Sequence, residues 1–515
     1  MLPSDKIYAY VPGLGGSEKS WKPLVDKLRA DIGGQWVALE HHCGAFSRRS
    51  PMAVARSLSA RLDSIDRQSG GEKELVLIGH SIGGLLIRTA YLIAAGKFGE
   101  GEAVYDWPRR VSRFVLMASM DRGVNPEGSM RAKLGTPFAR FLRPVGIRLI
   151  YDILKGSTFV TNLRIAWMRY YRTLPNPPMV VQVRGTKDDE VARNDTIDPD
   201  LFPHAVPIDV PEANHVKLHD LTGTPDPETH YECIRHAIAD DFPRHAAGAQ
   251  IAEKSRVIFL LHGIRASKLG WPTQLKNEIL RRDPSAIVEL PDYGYFSALR
   301  FAIPYFHRKP LRWFQDEYSQ ALARHPGAEF YFVGHSNGTY LMAQSLREIG
   351  GMIFNRIFLG GCVLSPAYVW PSRPQPYVVH NAYAYTDKVV GILCSALAGL
   401  GRKDVGTAGF ESFREIPDGD QNLVDRGHGA AFDSPADLET VADFILTGAR
   451  PPAGAPQDMP SGIRRLSRFS TILGWLVLAI LVVLPIWGAC QGHLLATVIA
   501  DLTLIALIVT ILILL

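Results

Sequence analysis

Apolar residues along this chain fall into short runs separated by amphipathic stretches, and the whole alternation occurs twice. In the first half, runs at 7–11, 36–39, 75–78, 113–117, 179–183 and 205–210 are short and predict strands. Stretches near 20–29, 52–67, 82–95 and 230–239 carry apolar positions at helical spacing and predict helices. The cycle restarts at 256–261 and passes through expected strands at 286–290, 330–333, 356–359 and 377–385 to a last helix near 435–446. Strands alternating with helices predict a mainly parallel sheet covered on both faces, so the fold class is α/β. A Pro-, Ala- and His-rich stretch separates the halves, and Arg450-Pro451-Pro452-Ala453-Gly454-Ala455-Pro456 closes the second. The expected organisation is a first domain over 1–245, a linker at 246–254, a second domain over 255–449 and a linker at 450–469.

The pattern changes at the C-terminal end. Residues 471–486 and 494–515 are almost wholly apolar, with a short polar break at Gly488-Ala489-Cys490-Gln491-Gly492-His493. Each run approaches the roughly 20 residues that cross a bilayer as a helix. A transmembrane helical hairpin is therefore expected over 470–515. Arg464, Arg465 and Arg468 precede it, which keeps that flank cytoplasmic by the positive-inside rule. Two spans return both chain ends to one side, so the domains are expected on the cytoplasmic face, held at the membrane. No signal peptide is expected, because residues 6–11 already read as a strand.

Composition adds bounds. The 515 residues suit two domains plus an appendage, and 47% hydrophobic with 21% charged residues is globular. The formal charge of +5 is mild, and no motif points to nucleic acid. Five scattered cysteines without paired spacing do not form a disulfide framework. His41-His42 lacks companion ligands at metal-site spacing, so neither a metal nor a cofactor is expected.

Two short motifs carry the chemistry. Gly79-His80-Ser81-Ile82-Gly83 and Gly334-His335-Ser336-Asn337-Gly338 each follow an expected strand and precede an expected helix. A serine there sits on a tight turn that pushes its hydroxyl above the sheet, and the glycines leave room for that turn. Serine is a weak nucleophile at neutral pH. It needs a histidine to take its proton and an acid to orient that histidine. Past the strand at 179–183 lies Arg184-Gly185-Thr186-Lys187-Asp188-Asp189-Glu190-Val191, and further on Ala213-Asn214-His215. In the second half, Tyr385-Thr386-Asp387 follows a late strand and Arg426-Gly427-His428-Gly429 precedes the last helix. Asp418 and Asp420 are rival acids, expected to lie after the next strand and so too late. The order Ser, Asp, His recurs.

These motifs resemble the α/β-hydrolase superfamily, of the lipase/esterase kind, in two tandem domains. The resemblance implies Ser81, Asp188 and His215 as one catalytic set and Ser336, Asp387 and His428 as another. Asp188 is favoured over Asp189 and Glu190, and His215 over His204 and His219, because each has the family context. His80 is expected to belong to the elbow and point elsewhere. The resemblance also implies oxyanion holes made by backbone N–H groups of Leu14 and Ile82, and of Ile264 and Asn337. Val11-Pro12-Gly13-Leu14 departs from the family's usual His-Gly turn, whereas Leu261-His262-Gly263-Ile264 keeps it.

The halves also differ in their insertions. Residues 120–178 hold ten Lys/Arg against three acids, interleaved with Phe138, Phe141, Leu142, Leu149, Tyr151, Trp167, Tyr170 and Tyr171. That stretch is expected to form a basic, aromatic lid suited to an anionic lipid interface. The second half has an earlier aromatic and basic insertion from Asp292 to Phe314, which shapes the acyl pocket or faces the bilayer. The expected activity is hydrolysis of carboxylic esters, acyl lipids above all, by a membrane-anchored serine hydrolase. Two alternatives stand beside it: one half catalytic and the other a regulatory or lipid- or partner-binding module, or a secreted lipase effector that inserts into a target membrane.

Overall fold

The computed structural model describes residues 6–44, 46–125, 146–188, 196, 198–222, 224–243, 255–264, 270–294, 296–373, 377–417, 420–423 and 426–452, with scattered positions between 465 and 483. The chain divides into two compact units: Met1–Ile251 with Gln315–Pro326, and Ala252–Phe314 with Gly327–Leu515. Residues Gln315–Pro326 thus count with the first unit, which sequence order could not show.

The first unit is built on six parallel strands: β1 (Lys6–Val11), β2 (Gln35–Ala38), β3 (Glu74–His80), β4 (Val111–Met117), β5 (Met179–Gly185) and β6 (Val206–Val210), in the order β2-β1-β3-β4-β5-β6. The second has β7 (Arg256–Leu261), β8 (Ile287–Glu289), β9 (Glu329–His335), β10 (Arg356–Gly360), β11 (Val378–Tyr383) and β12 (Asp420–Leu423), in the order β12-β11-β10-β9-β7-β8 and also parallel. Read from the other edge, that is the same topology. In both, the chain leaves the first strand toward one edge and returns on its other side. The strand order therefore reverses between β1 and β3, and between β7 and β9. Loops at the carboxyl ends of two such strands diverge and leave a crevice, where α/β sheets place their sites.

The central strands are buried on both faces, which is why they read as continuous apolar runs. Val76 and Ile78 of β3 share one cluster with Tyr8 and Tyr10 of β1 and with Trp21, Leu24 and Leu28 of helix Glu18–Ile32. Leu75 and Leu77, on the other face of β3, are equally buried. Helix Pro51–Gln68 packs against helix Ile82–Ala94. In the second unit, Ile258 and Leu260 of β7 and Tyr331 and Val333 of β9 pack with Leu438, Val441, Phe444 and Ile445 of helix Pro435–Thr447.

Two expectations change here. β12 was not read from the sequence, and Asp420 opens that strand rather than following it; Asp418 lies outside the described residues. The described aromatics of the expected lid do not form an outward face. Trp167, on helix Thr158–Tyr171, is buried edge-on against Phe114 of β4, while Leu149 and Tyr151 are buried and Tyr170 and Tyr171 half-buried. Arg164 of the same helix is buried and bonds Asp198 at 2.7 Å. Helical spacing put these residues on one stripe, and the stripe faces the sheet. Phe138, Phe141 and Leu142 lie outside the described residues. Among the described residues no helix is long and apolar enough to cross a membrane, and the hairpin expected over 470–515 lies outside them apart from scattered positions.

Candidate active site

Both serines stand where the sheet ends and a helix begins, with backbone that only this turn explains. Ser81 has φ 55° and Ser336 φ 52°, the left-handed region that non-glycine residues avoid. Holding each there costs on the order of 1–3 kcal/mol, which the surrounding packing must offset. Crowding explains the flanking glycines. A Cβ on Gly83 would lie 2.3 Å from the Val11 carbonyl oxygen, and one on Gly338 2.4 Å from that of Leu261. Each elbow helix thus begins directly against the end of the first strand of its sheet.

In the first unit the three predicted residues meet. The Ser81 hydroxyl lies 2.9 Å from His215 Nε2, and His215 Nδ1 lies 3.1 Å from Asp188 Oδ2. All three side chains are buried. With Nδ1–H donated to the carboxylate, Nε2 carries the lone pair and accepts from Ser81 Oγ. As Oγ attacks an electrophilic carbon its proton can pass to Nε2, and Asp188 stabilises the imidazolium. Asp189 and Glu190 lie outside the described residues.

The second unit repeats the pair of acid and base but not the whole chain of bonds. His428 Nδ1 lies 2.8 Å from Asp387 Oδ2, and the other carboxylate oxygen of Asp387 accepts from the Val390 N–H at 2.9 Å. Among the described residues Ser336 makes no side-chain hydrogen bond to His428. His428 packs on Gly361, where a Cβ would come within 2.9 Å of its Nδ1.

The expected oxyanion donors occupy corresponding places. Ile82 and Asn337 are the first residues of their helices, so their N–H groups have no intrahelical acceptor and point toward the nucleophile's end. The turns carrying Leu14 and Ile264 lie over the serines: a Cβ on Gly13 would be 3.1 Å from Ser81 Cβ, and one on Gly263 2.7 Å from Ser336 Cβ. Around Leu14 the neighbouring N–H groups are spent, Gly15 on the Cys43 carbonyl and Gly16 on that of Gly13, both at 3.0 Å.

Several residues that organise these sites escaped the sequence reading. His80 does not merely point away. Its Nε2–H donates to the His215 carbonyl at 2.9 Å, and His335 does the same to the His428 carbonyl at 3.0 Å. Burial is the main reason both rings stay neutral: it holds His80 well below the usual imidazole range and His335 at about 3. The residue before each serine therefore ties the serine's turn to the loop that carries His215 or His428.

A second tie holds each of the turns that carry Leu14 and Ile264. His41 accepts from the Cys43 N–H at Nδ1 (3.1 Å), so its Nε2–H donates to the Pro12 carbonyl (3.0 Å). In the other unit the Tyr293 hydroxyl donates to the His262 carbonyl at 3.0 Å and accepts from Asn337 Nδ2 at 3.2 Å. Tyr293 also stacks on the His262 ring, with centroids 4.8 Å apart. Pro12 and His262 hold the same place in their units, and both donors come from the loop after the second strand. His41-His42, read for a metal and set aside, thus has a backbone partner. The signal in the sequence was only that polar residues follow each second strand.

Behind the first elbow lies a buried charge cluster that no motif announced. Arg88, on the elbow helix, donates to Asp121 Oδ1 at 2.8 Å and to the Gly84 carbonyl at 3.2 Å. Ser119 Oγ and Gln182 Nε2 also donate to Asp121, at 2.8 and 2.9 Å. Burial raises the Asp121 carboxyl to about 6 even with Arg88 beside it. Among the described residues no cluster of His, Cys, Asp or Glu could hold a metal ion.

Residues 10–252 match the model of the Alpha/beta hydrolase family. No curated protein matches the chain. Similar solved structures include an extracellular alpha/beta-hydrolase from a Paenibacillus species, 17% identical over 45% of this chain and 99% of that one, with a TM-score of 0.30. A monoacylglycerol lipase from Paleococcus ferrophilus is 16% identical over 46% of this chain and 95% of its own, with a TM-score of 0.30. The phospholipase PlaB from Legionella pneumophila is 18% identical over 36% and 40% of the two chains, with a TM-score of 0.27. Residues 10–252 are thus similar to the alpha/beta hydrolase family over somewhat less than half of the chain.

Proposed function

We propose that this chain is a serine hydrolase of carboxylic esters, with acyl lipids as the substrate class, held at a membrane by its C-terminal apolar runs and facing the cytoplasm. The observation that carries the chemistry is the continuous Ser81–His215–Asp188 hydrogen-bond chain beneath a strained elbow. In this reading Ser81 attacks the ester carbonyl and His215 passes the proton to the leaving alcohol. The acyl-enzyme is then opened by water, which His215 deprotonates. The N–H groups of Leu14 and Ile82 stabilise the oxyanion. Ser336, His428 and Asp387 would act likewise, with Ile264 and Asn337 as donors. No metal or cofactor takes part in this mechanism. The lipid assignment is supported by the apolar sequence of 471–486 and 494–515.

A second reading has one observation in its favour. The missing Ser336–His428 bond is what a division of labour would show, with the first unit reacting and the second binding lipid or a partner. Unliganded sites often tighten such bonds only with substrate, so this observation does not make the second unit inert. Fluorophosphonate labelling of the wild type, Ser81→Ala, Ser336→Ala and the double variant distinguishes the readings. Two labelled serines support two sites, and label at Ser81 alone supports division of labour. No label at either serine, or unchanged release of fatty acid from acyl esters by the double variant, overturns the proposed chemistry.

A further inference from the structure

Among its described residues the second unit exposes an unbroken apolar run that its packing does not explain. Ile303, Tyr305 and Phe306 are 40%, 54% and 39% exposed, and Pro304 between them is exposed too. They start helix Pro304–Arg324, and the rings of Tyr305 and Phe306 meet edge-on at 5.4 Å. Scattered exposed apolar residues are ordinary, but four consecutive ones on a single projection are not.

The projection is fastened rather than loose. Arg402 donates to the Phe301 and Ala302 carbonyls at 3.1 and 2.9 Å, and Asp404 holds its guanidinium by two bonds of 2.8 Å. His307 donates to the Phe301 carbonyl at 2.6 Å and packs edge-on against Tyr340 at 4.4 Å. Tyr340 lies on the helix that follows Ser336 and bonds Asp404 at 2.8 Å. Phe301 and Leu311 are buried on either side. The same anchors that bury Phe301 and His307 turn 303–306 outward, in fixed relation to the Ser336 elbow.

Charge says what fits there. From Tyr293 to Gln315 the chain has Arg300, Arg308, Lys309 and Arg312 and no Asp or Glu. Arg300, Arg308 and Lys309 are exposed, and Arg308 pairs with Glu348 at 3.2 Å. Aromatic and aliphatic side chains projecting between cations match a lipid interface: rings settle at head-group level while cations meet anionic phosphates. A protein partner would offer no such averaged negative plane.

We propose that the segment 303–306, with Arg300 and Lys309, is a docking surface that seats the second unit on an anionic lipid bilayer. This rests on the membrane location proposed above and adds which face meets the lipid. It would bring the Ser336 elbow to the interface independently of the C-terminal runs.

The test uses the full chain reconstituted into vesicles of phosphatidylcholine alone or mixed with phosphatidylglycerol. In a Cys233→Ser, Cys490→Ser background, an environment-sensitive fluorophore is attached through Phe306→Cys or, as a control in the same unit, Val369→Cys. Docking predicts a blue shift at 306, larger with phosphatidylglycerol, and none at 369. Arg300→Glu with Lys309→Glu should abolish the extra shift. The triple variant Ile303→Ser, Tyr305→Ser, Phe306→Ser should cleave vesicle-borne acyl ester about tenfold more slowly, with a soluble short-chain ester unaffected. A fluorophore at 306 that stays in water with both vesicles refutes docking, as does a shift without vesicles that grows with protein concentration, which would mark contact with a second copy. Failure of the wild type on both esters would instead sink the hydrolase reading.

Discussion

Replacing Arg88 by Met tests whether the buried charges behind the first elbow are worth what their burial implies. Arg88 and Asp121 are both fully buried, and the guanidinium lies over the rings of Trp167 and Phe202 at 5.6 and 5.2 Å. Met fills most of the aliphatic stem, so the packing term is small and the change leaves an uncompensated carboxylate. Breaking such a pair costs about 3–5 kcal/mol. Ser119 and Gln182 still donate to Asp121, which places the expected loss near the lower end, about 3 kcal/mol at pH 8. Proton uptake offers an escape, and it fixes the pH dependence. The folded Asp121 already sits at about 6, above its unfolded value, so its ionisation costs stability as pH rises through that value. Without Arg88 the folded carboxyl moves higher still. The deficit of Arg88→Met should therefore be small below about pH 6 and grow above it. Hydrogen exchange of the amides in helix Ile82–Ala94 reads the loss locally and needs no two-state unfolding of a two-unit protein. Arg88→Met with Asp121→Leu should recover most of it, since two apolar residues replace a buried pair at little cost. A loss under about 1 kcal/mol at pH 8, or a double variant no better than the sum of the singles, would refute the reasoning.

Other outcomes follow from the same geometry. In a Ser336→Ala background, Asp188→Asn should lower ester hydrolysis by roughly four orders of magnitude, because an amide facing Nδ1 favours the tautomer that cannot accept from Ser81; a loss below tenfold would contradict the assigned acid. Tyr293→Phe should slow fluorophosphonate labelling of Ser336 by about 5- to 100-fold, since it strips partners worth about 1–3 kcal/mol from the His262 carbonyl and Asn337, and should leave labelling of Ser81 unchanged. Gly83→Ala should abolish labelling of Ser81 in protein that still shows helical circular dichroism, because its Cβ would overlap the Val11 carbonyl. His335, held at about 3, must gain a proton in the unfolded chain before it does in the folded one. Stability of the second unit should thus fall as pH drops below about 6.5, and His335→Gln should flatten that slope in thermal unfolding curves.

Much of this molecule could be read from residue order alone. Strand and helix periodicity follow local rules, since a strand buried on both faces must be apolar throughout and a nucleophile's turn must be flanked by small residues. That is why β1, β3, β7 and β9 lie within a residue or two of their expected places, and why Ser81 and Ser336 could be named. The loops that carry Asp188 and His215 were legible through the order in which loops leave a parallel sheet, and the choice of those two residues within them came from the family resemblance. The direction in which helix Thr158–Tyr171 turns its apolar stripe was not legible, because helical spacing gives a stripe but not the way it faces; Trp167 and Arg164 turn to the core.

What residue order could not supply are the long-range polar ties. His80 to the His215 carbonyl spans 135 residues, and Tyr293 to Asn337 spans 44. A donor seeking a backbone carbonyl leaves no signature in sequence, because every residue offers the same acceptor. The same holds for His41 and Tyr293, which hold corresponding carbonyls with different chemistry, and for the step from an Arg and an Asp far apart in the chain to a buried pair. The sequence by itself determined the two parallel sheets, the elbows and the acid–base order, since those depend on local apolar spacing and on loop order. Only the tertiary structure decided which polar groups close each site, which aromatics are buried and which face outward, since those depend on distances that folding alone creates.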